Sequence, residues 1–398
     1  MIVFIIDYIE RFSFYSRIFP ELSKRYDIVV VTPDPLVHLL CKLNHYTSIL
    51  IKKDRNQNNF DQDVIDSDIK TSVDVLNNDF SFIQAKDNYI STINILDRLF
   101  SREKIVKCVI WNGDTLIARA SSMACKKRDI DRVYLEISNL PNKMFSDPLG
   151  TNAKSSVFFH PEIIDNLESV PNEYHTNWIK YYEQGKKGKL PQSQFKLRIK
   201  MMSAVNLALK YCYSSTYKKN FCTIKVKSKL NLDNLKFDNS FCSTRSDGYI
   251  FLPLQVSTDT QVKLNSDYSN LDAIDFALKK ASELKLKLVV KIHPAERQQI
   301  AIDEIVVKQK NSDFILVNTN TIELIKNAKE VIVINSTVGL EALIYNKKIT
   351  VLGRALYTNF NQERLKKYIH QYLIEEVNYF GKDIIGIEQS EKLLRLKL

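Results

Sequence analysis

The residues that could do chemistry in this chain sit at the ends of short apolar runs. The most pointed group is Asn335-Ser336-Thr337-Val338-Gly339-Leu340-Glu341-Ala342, where an apolar run gives way to hydroxyl residues that open a helix. Backbone N–H groups and the positive end of a helix make such a start an anion site, and Ser336 and Thr337 add hydroxyl donors. Gly339 would let a ligand approach closely, and Glu341, one turn on, could accept hydrogen bonds from ribose hydroxyls. Either Ser336 or Thr337 also fits a plain helix cap. About forty residues earlier another apolar run ends in Lys291-Ile292-His293-Pro294, where His293 could donate to a phosphate or a leaving-group oxygen. His160-Pro161 has no such setting and reads as a turn.

Carboxylates stand at two further run ends. Leu252-Pro253-Leu254-Gln255-Val256-Ser257-Thr258-Asp259 carries Asp259 into a polar loop, where it either faces a ligand or caps a turn. Glu136 ends the run Tyr134-Leu135-Glu136, where an acid is costly unless it is paired or working. Asn112 and Gly113 follow a neighbouring run, and Asp147, Gly150, Thr151, Asn152 and Ser155 come after Glu136. Two acids of this kind suit glycosyl chemistry, one handling protons while the other stabilises or attacks the anomeric carbon.

These residues need strands that end at one edge. The runs at residues 2–6, 27–32, 106–111 and 132–136 are short and mostly apolar, and the later ones at 249–254, 286–292, 314–317, 331–335 and 349–353 repeat the pattern. Helices are expected between them, at 13–25, 115–127, 272–284, 321–327 and 336–345. That alternation predicts parallel sheets covered on both faces, with ligands beyond the carboxyl ends of the strands. Residues 52–72 are polar and read as a loop or insertion. The expected organisation is an N-terminal Rossmann-like domain over 1–165 and a basic, aromatic helical linker over 166–245. A C-terminal Rossmann-like domain follows over 246–360, and helices over 361–398 return to the first domain. The fold class is therefore α/β, two Rossmann-like domains facing a cleft.

The chain has 398 residues with 57 basic and 46 acidic side chains, a formal net charge of +11. That excess favours phosphate-rich substrates or an anionic membrane face, and no recognised motif supports nucleic acid. Only 9 residues are Gly, and neither GxGxxG nor GxxxxGK[ST] occurs, which argues against the usual dinucleotide and P-loop sites. The 6 cysteines are scattered without a CxxC pair and read as reduced thiols in a cytoplasmic protein. No run is long enough to span a membrane, and the apolar start is too short for a signal peptide. None of the Asp-x-Asp pairs offers an obvious metal site, and no cofactor is expected.

Taken together, Trp111-Asn112-Gly113, Glu136, Gly150-x-Asn152-x-x-Ser155, Leu252-Pro253-x-Gln255-Val256-x-x-Asp259, His293-Pro294 and Ser336-Thr337-x-Gly339-x-Glu341-Ala342-Leu343 resemble the capsule polysaccharide biosynthesis family. Its characterised members are similar to two-domain GT-B glycosyltransferases that transfer 3-deoxy-D-manno-oct-2-ulosonic acid (Kdo) from CMP-Kdo. The chain resembles the shorter members, which add the first Kdo to a phosphatidylglycerol lipid. The resemblance implies Asp259 as nucleophile of a retaining, two-step transfer and Glu136 as acid/base for the acceptor hydroxyl. It implies that His293, Ser336 and Thr337 hold the CMP phosphate and Glu341 the ribose. Gly339, Lys291 and Gln255 would complete the nucleotide site, and Asn112, Gly113 and Asn152 the acceptor side, with no metal.

Three departures stand out: Ile137-Ser138 after Glu136, a reduced Gly353-Arg354-Ala355-Leu356-Tyr357 segment, and Asp7-Tyr8-Ile9-Glu10-Arg11 in place of a Gly-rich loop. The basic-aromatic stretch from Trp178 to Lys229 is either a solvated face or a peripheral contact with anionic lipid at the inner membrane face. A UDP-sugar epimerase or transferase of the same architecture, or a non-catalytic scaffold of a polysaccharide assembly complex, would share much of this pattern.

Overall fold

The computed structural model describes residues 1–54, 56, 60–138, 140–187, 192–212, 216–218, 230–238, 240, 241, 243 and 248–396. Much of the basic-aromatic stretch, including Lys189, Lys219, Lys225, Lys227 and Lys229, lies outside them, as do Cys222 and Cys242. The chain divides into two compact units. Unit 1 comprises Met1–Ser156, Pro171–Ile224 and Ile369–Leu398, and unit 2 comprises Val157–Val170 and Lys225–Tyr368. The division departs from the expected boundaries: 157–170 goes with unit 2, while 171–224 belongs to unit 1 rather than to a separate linker.

In chain order the strands are β1 (Ile2–Ile5), β2 (Ile28–Thr32), β3 (Thr47–Leu50), β4 (Lys107–Trp111), β5 (Arg132–Ile137), β6 (Lys143–Asp147), β7 (Tyr249–Pro253), β8 (Lys287–Lys291), β9 (Ile315–Leu316), β10 (Glu330–Val333), β11 (Lys348–Val351) and β12 (Ile374–Glu375). Unit 1 arranges its sheet as β12-β6-β5-β4-β1-β2-β3. The strands from β5 to β3 are parallel, while β6 and β12 are added antiparallel at one edge. Unit 2 holds a parallel sheet in the order β11-β10-β7-β8-β9.

The apolar runs explain both sheets. Along β1, Ile2 and Phe4 enter one core while Val3 and Ile5 enter the opposite one. Along β7, Ile250 and Leu252 alternate in the same way with Tyr249 and Phe251. Alternate side chains point to opposite faces, so a sheet buried on both sides requires strands that are apolar at every position.

Each sheet has a switch point, where the helical connections turn to opposite sides and leave a crevice at the carboxyl ends. In unit 1 it falls between β1 and β4, in unit 2 between β7 and β10.

Several expected elements differ. The single helix expected over 13–25 is two, Ile9–Tyr15 and Phe19–Leu22. Pro20 sits in the first turn of the second, where its missing N–H costs nothing, but it could not have continued the first. The expected loop at 52–72 contains helix Gln62–Lys70, capped by Asp61 through Asp63 N at 2.9 Å, with Ile65 and Ile69 buried. Helix Phe82–Arg102, opened by a Ser81–Gln84 capping box, was not foreseen. The C-terminal residues expected to be helical contain β12, and only Gln362–Lys367, a π-helical turn at Tyr368–Tyr372 and Ile387–Leu393 are helical.

Candidate functional site

In unit 2 the loops after β7 and β10 bring Gln255, Asp259 and Asn335 together at the crevice. Gln255 leaves β7 and Asn335 leaves β10, and the two side chains bracket the crevice. Gln255 Nε2 donates to Asn335 Oδ1 at 3.0 Å, and Asn335 N donates to Gln255 Oε1 at 3.0 Å. Gln255 Nε2 also donates to Asp259 Oδ2 at 3.2 Å. The other oxygen of Asp259 accepts from Gln261 N at 2.9 Å, so Asp259 caps helix Thr260–Asn265. Gln255 is thus buried and spent on holding Asp259 and Asn335, not left open to a nucleotide.

His293 stands at the surface after β8. Its Nδ1 accepts from Ala295 N at 3.0 Å. The neutral ring therefore carries its proton on Nε2, a hydrogen-bond donor. Desolvation lowers its pKa, with Lys291 and Arg297 acting the same way and the nearby Asp259 and Glu296 carboxylates opposing, which favours the neutral ring.

Glu296 fixes the spacing between the two loops and was not singled out in the sequence. This buried carboxylate accepts from Ser257 N at 2.7 Å, Ser257 Oγ at 3.1 Å, Arg297 N at 2.7 Å and Gln298 N at 2.8 Å. Burial alone would raise its pKa, but these backbone donors outweigh it and hold it below the ordinary value. An acid three residues after His293 was the available signal; its partner Ser257 is 39 residues away.

Ser336 caps helix Thr337–Ile344 through Val338 N at 3.2 Å, and Thr337 is exposed at its start. The reading of Gly339 needs correction. Its open side is filled by Tyr357: a Cβ built on Gly339 would lie 2.5 Å from the Tyr357 hydroxyl and 2.6 Å from Cε2. Gly339 therefore makes room for a tyrosine, whose hydroxyl donates to Ser336 O, rather than for a ligand. Glu341 is buried in the same helix. Lys291 is committed to a neighbouring loop, with Nζ donating to Thr319 O at 2.6 Å and Thr321 Oγ1 at 3.0 Å.

In unit 1 the β1/β4 crevice gathers another set. Asn112, at a φ of 57°, donates from Nδ2 to Glu136 Oε2, while Ile137 N donates to Oε1 at 3.0 Å. Burial raises the Glu136 pKa, opposed by Asn112, Arg11 and the Ile137 N–H. Gly113, at a φ of 96°, lies against the Tyr134 ring and makes the turn that presents Asn112. Thr151 Oγ1 donates to Asn112 O at 2.8 Å. Asn152 stays outside this cluster, in a short turn where its carbonyl accepts from Ser155 Oγ at 2.7 Å. Asp147 is structural. It is fully buried and accepts from Leu149 N, Gly150 N, Ser156 N, Ser156 Oγ and Tyr372 OH.

The helix after β4, Leu116–Lys127, cannot serve as a phosphate cradle. Its Leu116 N donates at 2.6 Å to Oδ2 of the buried Asp74, which already places a negative charge at that end.

Residues 118–371 match the family model described as "Capsule polysaccharide biosynthesis protein". The chain belongs to the capsule polysaccharide biosynthesis protein family. The capsule polysaccharide export protein KpsS of Escherichia coli is 28% identical over 135 residues, 31% of this chain and 34% of that protein. Protein FixF of Sinorhizobium fredii is 35% identical over 116 residues, 28% of this chain and 27% of that protein. Each match spans about a third or less of the relative. Among solved structures, the Thermosulfurimonas dismutans KpsC beta Kdo 2,7 transferase aligns with 76% of this chain and 89% of its own, at 19% identity and a TM-score of 0.39. The UDP-GlcNAc 2-epimerase of Methanocaldococcus jannaschii aligns with 100% and 99%, at 14% identity and a TM-score of 0.31. Among the described residues no helix is long and apolar enough to cross a membrane.

Proposed function

We propose that this protein is a retaining, metal-independent glycosyltransferase of capsule polysaccharide biosynthesis, moving Kdo from CMP-Kdo to a lipid or glycan acceptor. The observation behind it is the unit 2 crevice. There a carboxylate (Asp259), a neutral histidine with Nε2–H available (His293) and a hydroxyl-lined helix start (Ser336, Thr337) gather around one Gln255–Asn335 bracket. The competing helix end in unit 1 is occupied by Asp74.

Asp259 attacks the anomeric carbon and the bond to the CMP phosphate breaks, the departing phosphate being met by the His293 N–H and the helix start; the acceptor oxygen then attacks the same carbon and releases the Asp259 carboxylate. Gln255 steadies Asp259 for the first attack. Glu136 takes the proton of the acceptor hydroxyl in the second. An anionic acceptor is consistent with the basic charge, and the basic-aromatic stretch would bring the protein to an anionic membrane face. Of its described part, Tyr181, Met201 and Val205 are exposed.

Incubation with CMP-Kdo and phosphatidylglycerol vesicles should release CMP and yield a Kdo-lipid, with CMP raising the melting temperature more than UDP does. Absence of turnover with every CMP-ulosonate, lipid and glycan acceptors included, would sink the assignment. Co-sedimentation with phosphatidylglycerol but not phosphatidylcholine vesicles is expected; equal binding to both would remove the electrostatic membrane contact.

A further inference from the structure

The Asp7–Arg11 pair, four residues apart at the start of the first helix, is not used by the chemistry above. Arg11 pairs with both oxygens of Asp7, and the two side chains are 15% and 9% exposed. The guanidinium is caged, with its carbon 5.2 Å from the Trp111 ring centre and 5.1 Å from that of Tyr8. Trp111 ends β4 and Asp7 follows β1, so the pair sits in the same crevice as Glu136, within electrostatic reach of it.

The other groups around Glu136 leave little freedom. Asn112 and Ile137 N are neutral donors bound to it. Asp114, after β4, is ion-paired with Lys154 at 2.6 Å and Arg119 at 3.7 Å and opposes the Glu136 carboxylate. Tyr15, from the first helix, is fully buried and keeps its proton, as does Tyr379 beside Arg11. Arg11 is thus a cation within electrostatic reach of Glu136, and Asp7 holds it by both oxygens.

We propose that Asp7 and Arg11 form an electrostatic control on Glu136, the guanidinium favouring the carboxylate that accepts the acceptor's proton and Asp7 metering how much of that charge Glu136 feels. This rests on Glu136 acting as acid/base; Asp7 and Arg11 are positioning residues that act through it. The two partners push in opposite directions, which a merely structural role would not do.

The test is a carboxyl 13C NMR titration of the full-length protein labelled at glutamate, with Glu136→Gln identifying the resonance. It needs no turnover, so a failed transferase assay and a failed control mechanism are told apart. Arg11→Met should raise the Glu136 midpoint by about one pH unit, and Asp7→Asn should lower it by about half a unit. Arg11→Lys, which retains the charge, should return most of the shift. If turnover is present, the acid limb of its pH profile should move the same way in each variant. A midpoint that stays within about 0.2 units in both Arg11→Met and Asp7→Asn, or moves the same way in both, overturns the proposal. Should Arg11→Met fail to fold, the Asp7→Asn and Arg11→Lys titrations decide alone.

Discussion

Replacing Asp259 by Asn separates two tasks that fall on one carboxylate. Oδ1 caps helix Thr260–Asn265 through Gln261 N, and Oδ2 receives Gln255 Nε2. Asn caps a helix about as well as Asp, so the first bond survives. The second does not, because the new amide nitrogen would face another donor. Gln255 cannot turn over to rescue it, since its own oxygen and nitrogen are both committed to Asn335. The loss is one partly buried hydrogen bond, about 1 kcal/mol. Asp259→Ala loses the cap as well, about 2 kcal/mol in total. A nucleophile, by contrast, cannot be an amide: both variants should lose turnover by about 1,000-fold or more while binding CMP within about threefold of the parent. Urea unfolding reads the stabilities, isothermal calorimetry the CMP affinity and CMP release the turnover. An Asn variant that turns over within about tenfold of the parent would refute the nucleophile. An Asn variant as destabilised as Ala would instead refute the cap.

Gly339→Ala should cost about 1–3 kcal/mol by driving a methyl into Tyr357, and Tyr357→Ala in the same chain should relieve part of it; additive losses in thermal melts would contradict the packing argument. Asp74→Ala should destabilise unit 1 by about 1–2 kcal/mol, with faster amide exchange at Leu116 as the local sign; unchanged exchange there would count against the external cap. Glu375, held at about 2 by His370 at 3.7 Å and by its ion pair with Lys143, has a folded pKa below its ordinary 4.5. Its contribution is therefore complete above pH 4.5 and fades as pH falls toward 2. Glu375→Gln should cost about 1 kcal/mol at pH 6, discounted for a side chain 38% exposed, and nearly nothing at pH 2; a difference that does not shrink would disprove the linkage.

The sheets were legible because burial on both faces leaves runs such as Ile28–Val31 and Val331–Val333 with no polar position. β6 and β12 were not, since Lys143 and Glu375 pair across unit 1 and look like loop residues until that pairing is seen. Helix Gln62–Lys70 was hidden because Ile65 and Ile69 are its only buried side chains. Which residues stand at strand ends could be read directly, but which way they turn could not. Lys291 and His293 share a loop start, yet the lysine reaches Thr319 and Thr321. Gly339 was read as space for a ligand because the residue filling it, Tyr357, comes from a separate segment. Glu296 and Ser257, like Arg11 and Trp111, meet only after the sheets bring their loops together.

Unit 1 is closed by side chains from late in the sequence: Val377, Tyr379, Ile385, Leu393, Leu394 and Leu396 share a cluster with Phe4, Phe14 and Phe19. A ribosome therefore delivers every strand of unit 2 while the earlier unit still lacks part of its interior. The usual order of maturation, first made and first folded, is reversed here. β1 to β6 must wait with an incompletely covered apolar face, and a premature stop after Tyr368 would release a chain whose second unit is whole and whose first has been left open.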